Sequence, residues 1–102
     1  MADFVDIGSV EQVPPGSGAT FTVGEKQIAV FNVDGAIYAM DDTCLHKGSS
    51  LGAGKLDGKV VTCRAHGWRF DVTTGSTISS PGYGVKSYPA KIVGGKILVM
   101  VA

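Results

Sequence analysis

The stretch KQIAVFNVDGAIYAM, residues 26–40, decides the fold. In an extended chain successive side chains point to opposite faces. Ile28, Val30, Phe31 and Val33 therefore place apolar groups on both sides of a strand over 26–33. Such a strand is expected at the centre of a sheet, covered on each face. Asp34-Gly35 is a strong two-residue hairpin signal. Residues 36–40 then return antiparallel, and Tyr38 and Met40, with Leu98 further on, are expected in the core.

The flanking sequence repeats this logic. Residues 4–7 alternate and read as an edge strand, and residues 20–23 as a strand that turns at Gly24-Glu25. Ser9 is placed to cap a single helical turn that Pro14-Pro15-Gly16 ends. The C-terminus is a further hairpin, 90–93 and 96–101 around Gly94-Gly95. Fifteen glycines, about twice ordinary usage, punctuate short apolar runs, and no window shows a helical stripe capped at both ends. The pattern predicts an all-β chain, with an antiparallel sandwich or barrel-like body built from both ends. Its 102 residues suffice for one domain, 1–102, with an insert over about 43–83.

Composition narrows the function. Hydrophobic residues make up 44% of the chain, and nine Lys+Arg balance nine Asp+Glu. The first value excludes a disordered tail, and the second argues against nucleic acid as a main partner. No apolar run approaches the roughly 20 residues of a membrane span, and the N-terminus lacks a basic region followed by an apolar one. A cytoplasmic monomer is expected.

The insert carries the chemistry. Its two ligand stretches are Cys44-Leu45-His46-Lys47-Gly48 and Cys63-Arg64-Ala65-His66-Gly67-Trp68, which hold every cysteine and histidine of the chain. Sixteen residues separate His46 from Cys63. Each stretch is followed closely by glycine, which lets backbone approach a bulky inorganic group. Residues 59–62 form a short strand leading into Cys63, and residues 68–72 resume strand alternation before a turn at Thr74-Gly75. Residues 79–84 read as a loop by composition. A disulfide between Cys44 and Cys63 would leave both histidines unexplained. Zinc can take two Cys and two His, but the usual finger pairs like with like on a ββα unit. Here each arm is mixed and the setting is all-β. A structural zinc module stays open on these residues alone.

The paired pattern C-x-H and C-x-x-H resembles the Rieske family, in particular the small Rieske-type [2Fe–2S] ferredoxins of bacterial ring-hydroxylating oxygenase systems. The continuation Thr74-Gly75, Pro81 and Tyr88 fits it as well. The resemblance covers essentially the whole chain. It implies one [2Fe–2S] cluster, with Cys44 and Cys63 on one iron and His46 and His66 on the other. It implies a one-electron carrier rather than an enzyme. Electrons would arrive from a flavin-containing, NAD(P)H-dependent reductase and leave, through small transient contacts, to a terminal oxygenase. No histidine is left over for an oxygenase's own iron. The small Rieske-like subunit of a nitrite reductase is the nearest alternative, and many of those are thought to lack the ligands present here.

Two ferric ions, two sulfides and two thiolates sum to a neutral oxidised centre, which accepts an electron more readily than a four-cysteine one. Within the family, high-potential members have an extra disulfide between the ligand loops and two hydroxyl donors to the cluster sulfurs. The matching positions here are Ser49 and Ala65, and Trp68 and Phe70. These departures imply a potential near −150 mV, at the low end of the Rieske range. Arg64 and Gly84 stand where prolines are common. Pro81 would either cover the cluster or shape a turn, and Lys47 and Arg64 would either steer a partner or be solvated charges.

Overall fold

The computed structural model describes residues 4–42, 50–52, 54–63, 68–78 and 84–100. Ten strands run through them: β1 (Phe4–Ser9), β2 (Gly18–Val23), β3 (Lys26–Val33), β4 (Ala36–Asp41), β5 (Lys55–Asp57), β6 (Val60–Thr62), β7 (Arg69–Asp71), β8 (Ser87–Tyr88), β9 (Ala90–Val93) and β10 (Lys96–Met100). All pairings are antiparallel and form three sheets, β1-β10-β9, β2-β3-β4-β8 and β5-β6-β7. The one helical element among the described residues is a single 3-10 turn, Val10–Gln12.

β3 and β4 form the middle layer. Alternation sends Ile28 and Val30 of β3 and Ile37 and Ala39 of β4 to one face, where they pack with Ile97 and Val99 of β10. It sends Ala29 and Phe31 of β3 and Met40 of β4 to the other, where they pack with Leu51, Val61, Phe70 and Val72. Four consecutive β3 residues, Ile28, Ala29, Val30 and Phe31, are 0% exposed, so the strand has no face for water. Each face carries its own apolar cluster. The body built from the two ends of the chain covers one, and the insert covers the other.

Local chemistry sets the connections. The β3–β4 turn needs positive φ at both central residues, and Asp34 (52°) and Gly35 (95°) supply it. Buried Asn32 accepts from the Gly35 N–H (2.8 Å) and donates to the Val13 carbonyl (2.8 Å), tying this hairpin to the segment after the 3-10 turn. That turn is capped as expected. The Ser9 hydroxyl accepts from the Glu11 N–H at 3.3 Å, and the Gln12 side chain accepts from the Ser9 N–H at 2.7 Å.

Several expectations need correction. Leu98 is only half-buried, because the inward positions of β10 are Ile97 and Val99. Tyr38 is likewise half-buried, packed on the cluster that holds Met40. β5 and β8 lie in segments with no predicted strand, and each is too short (3 and 2 residues) to display an alternation. Trp68 and Val72 flank β7 rather than belonging to it. The edge position of β1, the central position of β3 and the terminal hairpin match the expectations.

β8 is joined to β4 by two backbone register pairs, by a side-chain hydrogen bond and by the apolar cluster that Tyr88 shares with Ile37 and Ala39. The Tyr88 hydroxyl donates to Asp41 Oδ1 at 2.5 Å, and Lys86 and Lys26 place their ammonium groups 5.3 and 5.7 Å from the Tyr88 ring centre. Burial, then the Asp41 carboxylate, push the phenol pKa up from 10.0 to about 12. The folded state therefore holds this proton more tightly than the unfolded chain. The resulting stability is complete below about pH 10 and is lost as pH rises towards about 12, by about 2–3 kcal/mol in total. Tyr88→Phe should cost about 1–2 kcal/mol at neutral pH and remove that share of the alkaline fall. Chemical denaturation at intervals from neutral to strongly alkaline pH measures both. Parallel wild-type and variant curves would contradict the assignment.

Candidate metal centre

Two strands of the central region deliver the predicted ligand stretches. β4 ends at Asp41 and the chain runs through Asp42 into residues 43–49; it is described again at Ser50. β6 ends at Thr62 and leads directly into Cys63, and the chain is described again at Trp68 before β7. Cys44, His46 and His66 lie outside the described residues, as do Lys47, Ser49, Arg64, Ala65 and Pro81. The positions of the two loop stems, and of Cys63, are described.

The first stem is closed by one buried carboxylate. Asp42 is 5% exposed, and its Oδ1 accepts from the Gly52 N–H (2.7 Å), the Thr20 hydroxyl (2.9 Å) and the Ser50 hydroxyl (3.0 Å). Its backbone carbonyl accepts from the Leu51 N–H at 2.6 Å, and its own N–H donates to the Gln27 carbonyl at 3.0 Å. The residues where 43–49 begins and ends are thus bonded to each other and to β2 and β3. Gly52 is required by this packing. A Cβ there would run into the Thr20 hydroxyl and stand 2.9 Å from the Ala19 carbonyl oxygen.

The second stem is closed by backbone. The Cys63 N–H donates to the Trp68 carbonyl at 2.6 Å, continuing the β6–β7 ladder one step past its last pair, Thr62↔Arg69. Beyond β7, Asp71 holds the next turn. It accepts from the Thr73 N–H (2.9 Å) and hydroxyl (2.5 Å), and Lys59 Nζ stands 3.5 Å from its Oδ2. Burial raises this carboxyl's pKa, but the Thr73 bonds and the Lys59 charge outweigh it and hold the pKa below the ordinary value.

Both stems are rooted in the same apolar cluster. Leu51 just after the first loop and Cys63 at the start of the second are buried in it, and Trp68 packs against it half-buried. Cys63 is 1% exposed, among Val61, Phe70 and Val72. A sulfur in such a setting is stable as a thiolate when a positive charge adjoins it, and a bound metal provides that charge. Cys63, the one candidate ligand among the described residues, thus lies where a metal-bound thiolate would be tolerated. Phe70 is 0% exposed and belongs to the core, and Trp68 is half-buried against the same cluster.

Asp42 is the residue the sequence reading missed. A carboxylate two positions before the candidate ligand Cys44 is a local signal, but its partner Thr20 lies 22 positions away on another strand. No pattern in one sequence joins them.

Residues 3–89 match the model of the Rieske [2Fe–2S] domain. The chain is 34% identical over 97 residues to the ferredoxin component of the naphthalene 1,2-dioxygenase system of Pseudomonas aeruginosa, covering 94% of this chain and 93% of that protein. It is 41% identical over 98 residues to the biphenyl dioxygenase ferredoxin subunit of Pseudomonas sp. (strain KKS102), covering 94% and 90%. Among solved structures, it superposes on a chain in the complex of reduced oxygenase and oxidised ferredoxin of carbazole 1,9a-dioxygenase. That match has a TM-score of 0.85 and 32% identity, with 95% and 92% covered. A nitrite reductase small subunit from Mycobacterium tuberculosis matches with a TM-score of 0.89 over 100% of this chain and 97% of that one, but at 22% identity it shares the fold alone. The buried cysteine, the convergent loop stems and the all-β layers agree with these matches, and the chain belongs to the Rieske [2Fe–2S] domain family.

Proposed function

We propose that this chain is a one-electron carrier whose single [2Fe–2S] cluster is held by Cys44 and Cys63 on one iron and His46 and His66 on the other. The observation that carries this reading is the rooting of both ligand stems in one buried cluster through Leu51, Cys63 and Trp68. It brings the stems of the two candidate ligand stretches to one cluster. When bound, such a cluster takes up and gives back one electron at a time. The chain's own residues supply the thiolates and imidazoles, close the two loops, and keep water from the Cys63 side.

The electron donor is a flavin-containing, NAD(P)H-dependent reductase, and the acceptor is a terminal ring-hydroxylating oxygenase. Relatives named as ferredoxin components of dioxygenase systems support this. The oxygenase–ferredoxin complex among the similar structures supports the acceptor in particular. Among the described residues no helix is long and apolar enough to cross a membrane. The protein acts as a monomer in the cytoplasm, as one domain over 1–102 with its cluster-binding insert over 43–83.

Two measurements test the reading. The purified protein should be coloured and give a rhombic EPR signal on reduction, and His46→Ala or His66→Ala should abolish it. A colourless protein containing zinc, or a native signal retained in either variant, would overturn the ligand set. Phe70 fills the space beside Cys63 without offering a hydroxyl, so the midpoint potential should fall below zero, near −150 mV. A positive midpoint in protein-film voltammetry would contradict it.

A further inference from the structure

We infer that Asp42 is the positioning residue of the first ligand loop. Its Oδ1 joins Asp42, just before 43–49, to Ser50 and Gly52 just after them and to Thr20 of β2, and its loss should be felt at the candidate ligands Cys44 and His46. The inference rests on the reading of those two residues as cluster ligands.

The geometry is specific. Three donors from three different places meet on a single oxygen: the Thr20 hydroxyl of β2, and the Ser50 hydroxyl and Gly52 N–H beyond the loop. The Thr20 and Ser50 hydroxyls are themselves 3.0 Å apart, so the three groups are packed around the acceptor. The Asp42 backbone adds the Leu51 N–H on one side and the Gln27 carbonyl on the other. A loop of seven residues leaves and re-enters the core through this node. Removing the acceptor would leave a buried N–H at Gly52 without its partner and cut the bond from Asp42 to Thr20 of β2, so that only the backbone bonds of Asp42 and the Thr20–Ser50 contact still tie the stem. The fold does not depend on this node for its layers, because β3 and β4 are already paired from Ile28↔Asp41 to Val33↔Ala36. Its distinctive consequence falls on the loop.

What matters in this arrangement is an oxygen acceptor at one point. Asparagine keeps that oxygen and alanine removes it. With the holo protein, Asp42→Ala should release iron to a chelator at least about tenfold faster than wild type, the scale on which supporting residues affect metal sites. It should also broaden the reduced EPR signal and speed hydrogen exchange at the Gly52 amide. Asp42→Asn should stay within about threefold of wild type on release and keep the EPR line shape. If Asp42→Ala does not fold, Thr20→Val with Ser50→Ala removes two of the three donors from outside the loop. That pair should give a smaller acceleration in the same direction. Wild-type release from Asp42→Ala or from the double variant would overturn the inference, as would Asp42→Asn behaving like Asp42→Ala. Lack of a rhombic signal in the wild type would instead refute the ligand reading, while Gly52 exchange in the variants would still report whether the node holds the loop ends.

Discussion

Burial of β3 on both faces is the constraint from which the rest of the structure follows. A strand reading Ile28-Ala29-Val30-Phe31 with no exposed residue has no solvent side. It needs an apolar layer above and below, and a chain of this length has two sources. The terminal strands β1, β9 and β10 provide one. The other has to come from the segment between β4 and β8, which also carries the ligand stretches. The insert is therefore half of the packing of the central strand. Interiors are close-packed, so side chains at such a junction have little room to shift. The described stems Asp42, Leu51, Cys63 and Trp68 leave from that junction, and packed support of this kind is what a metal site requires of its scaffold.

The two ligand loops reach the same end by different chemistry. The second follows a β-ladder: β6 and β7 are already in register, and one more backbone bond, from Cys63 to Trp68, closes it. The first has no such partner strand, because β4 ends at Asp41 beside the short β8. Backbone groups at an unladdered loop stem must find partners elsewhere. Asp42 provides them through its carboxylate and its own backbone groups. The first node is closed by a side-chain carboxylate where the second is closed by backbone, and it needs a glycine at 52 because the Thr20 hydroxyl and the Ala19 carbonyl crowd that position.

How far the sequence alone carries the structure follows from the range of each interaction. The β3–β4 hairpin was legible because its signals are local: a two-sided apolar strand, then two residues able to take positive φ. The capped turn at Ser9 and the terminal hairpin were legible for the same reason. The family was legible as a pattern of residue types at fixed spacing, which the match over residues 3–89 bears out. β8 was not, since two residues gain strand geometry only from β4 alongside. Leu98 misled because Ile97, Leu98 and Val99 are all apolar and only tertiary packing chooses which of them face inward. Thr20 with Asp42 was illegible because an exposed strand threonine carries no mark of the carboxylate it meets.

The apolar setting of Cys63 also bears on the role of a carrier. An added electron is an added negative charge, and its cost depends on the donors and dipoles around the sulfurs. On the proposed ligand set, Phe70, 0% exposed in the apolar cluster that holds Cys63, stands where a hydroxyl donor would lower that cost. The same side chain completes the cover over Phe31 and Met40 of the middle sheet. Introducing a polar group there would raise the potential and at the same time leave a polar atom in the core, to be satisfied or to destabilise it. Core packing and redox level are thus joined at one residue, and a change that improves one acts against the other.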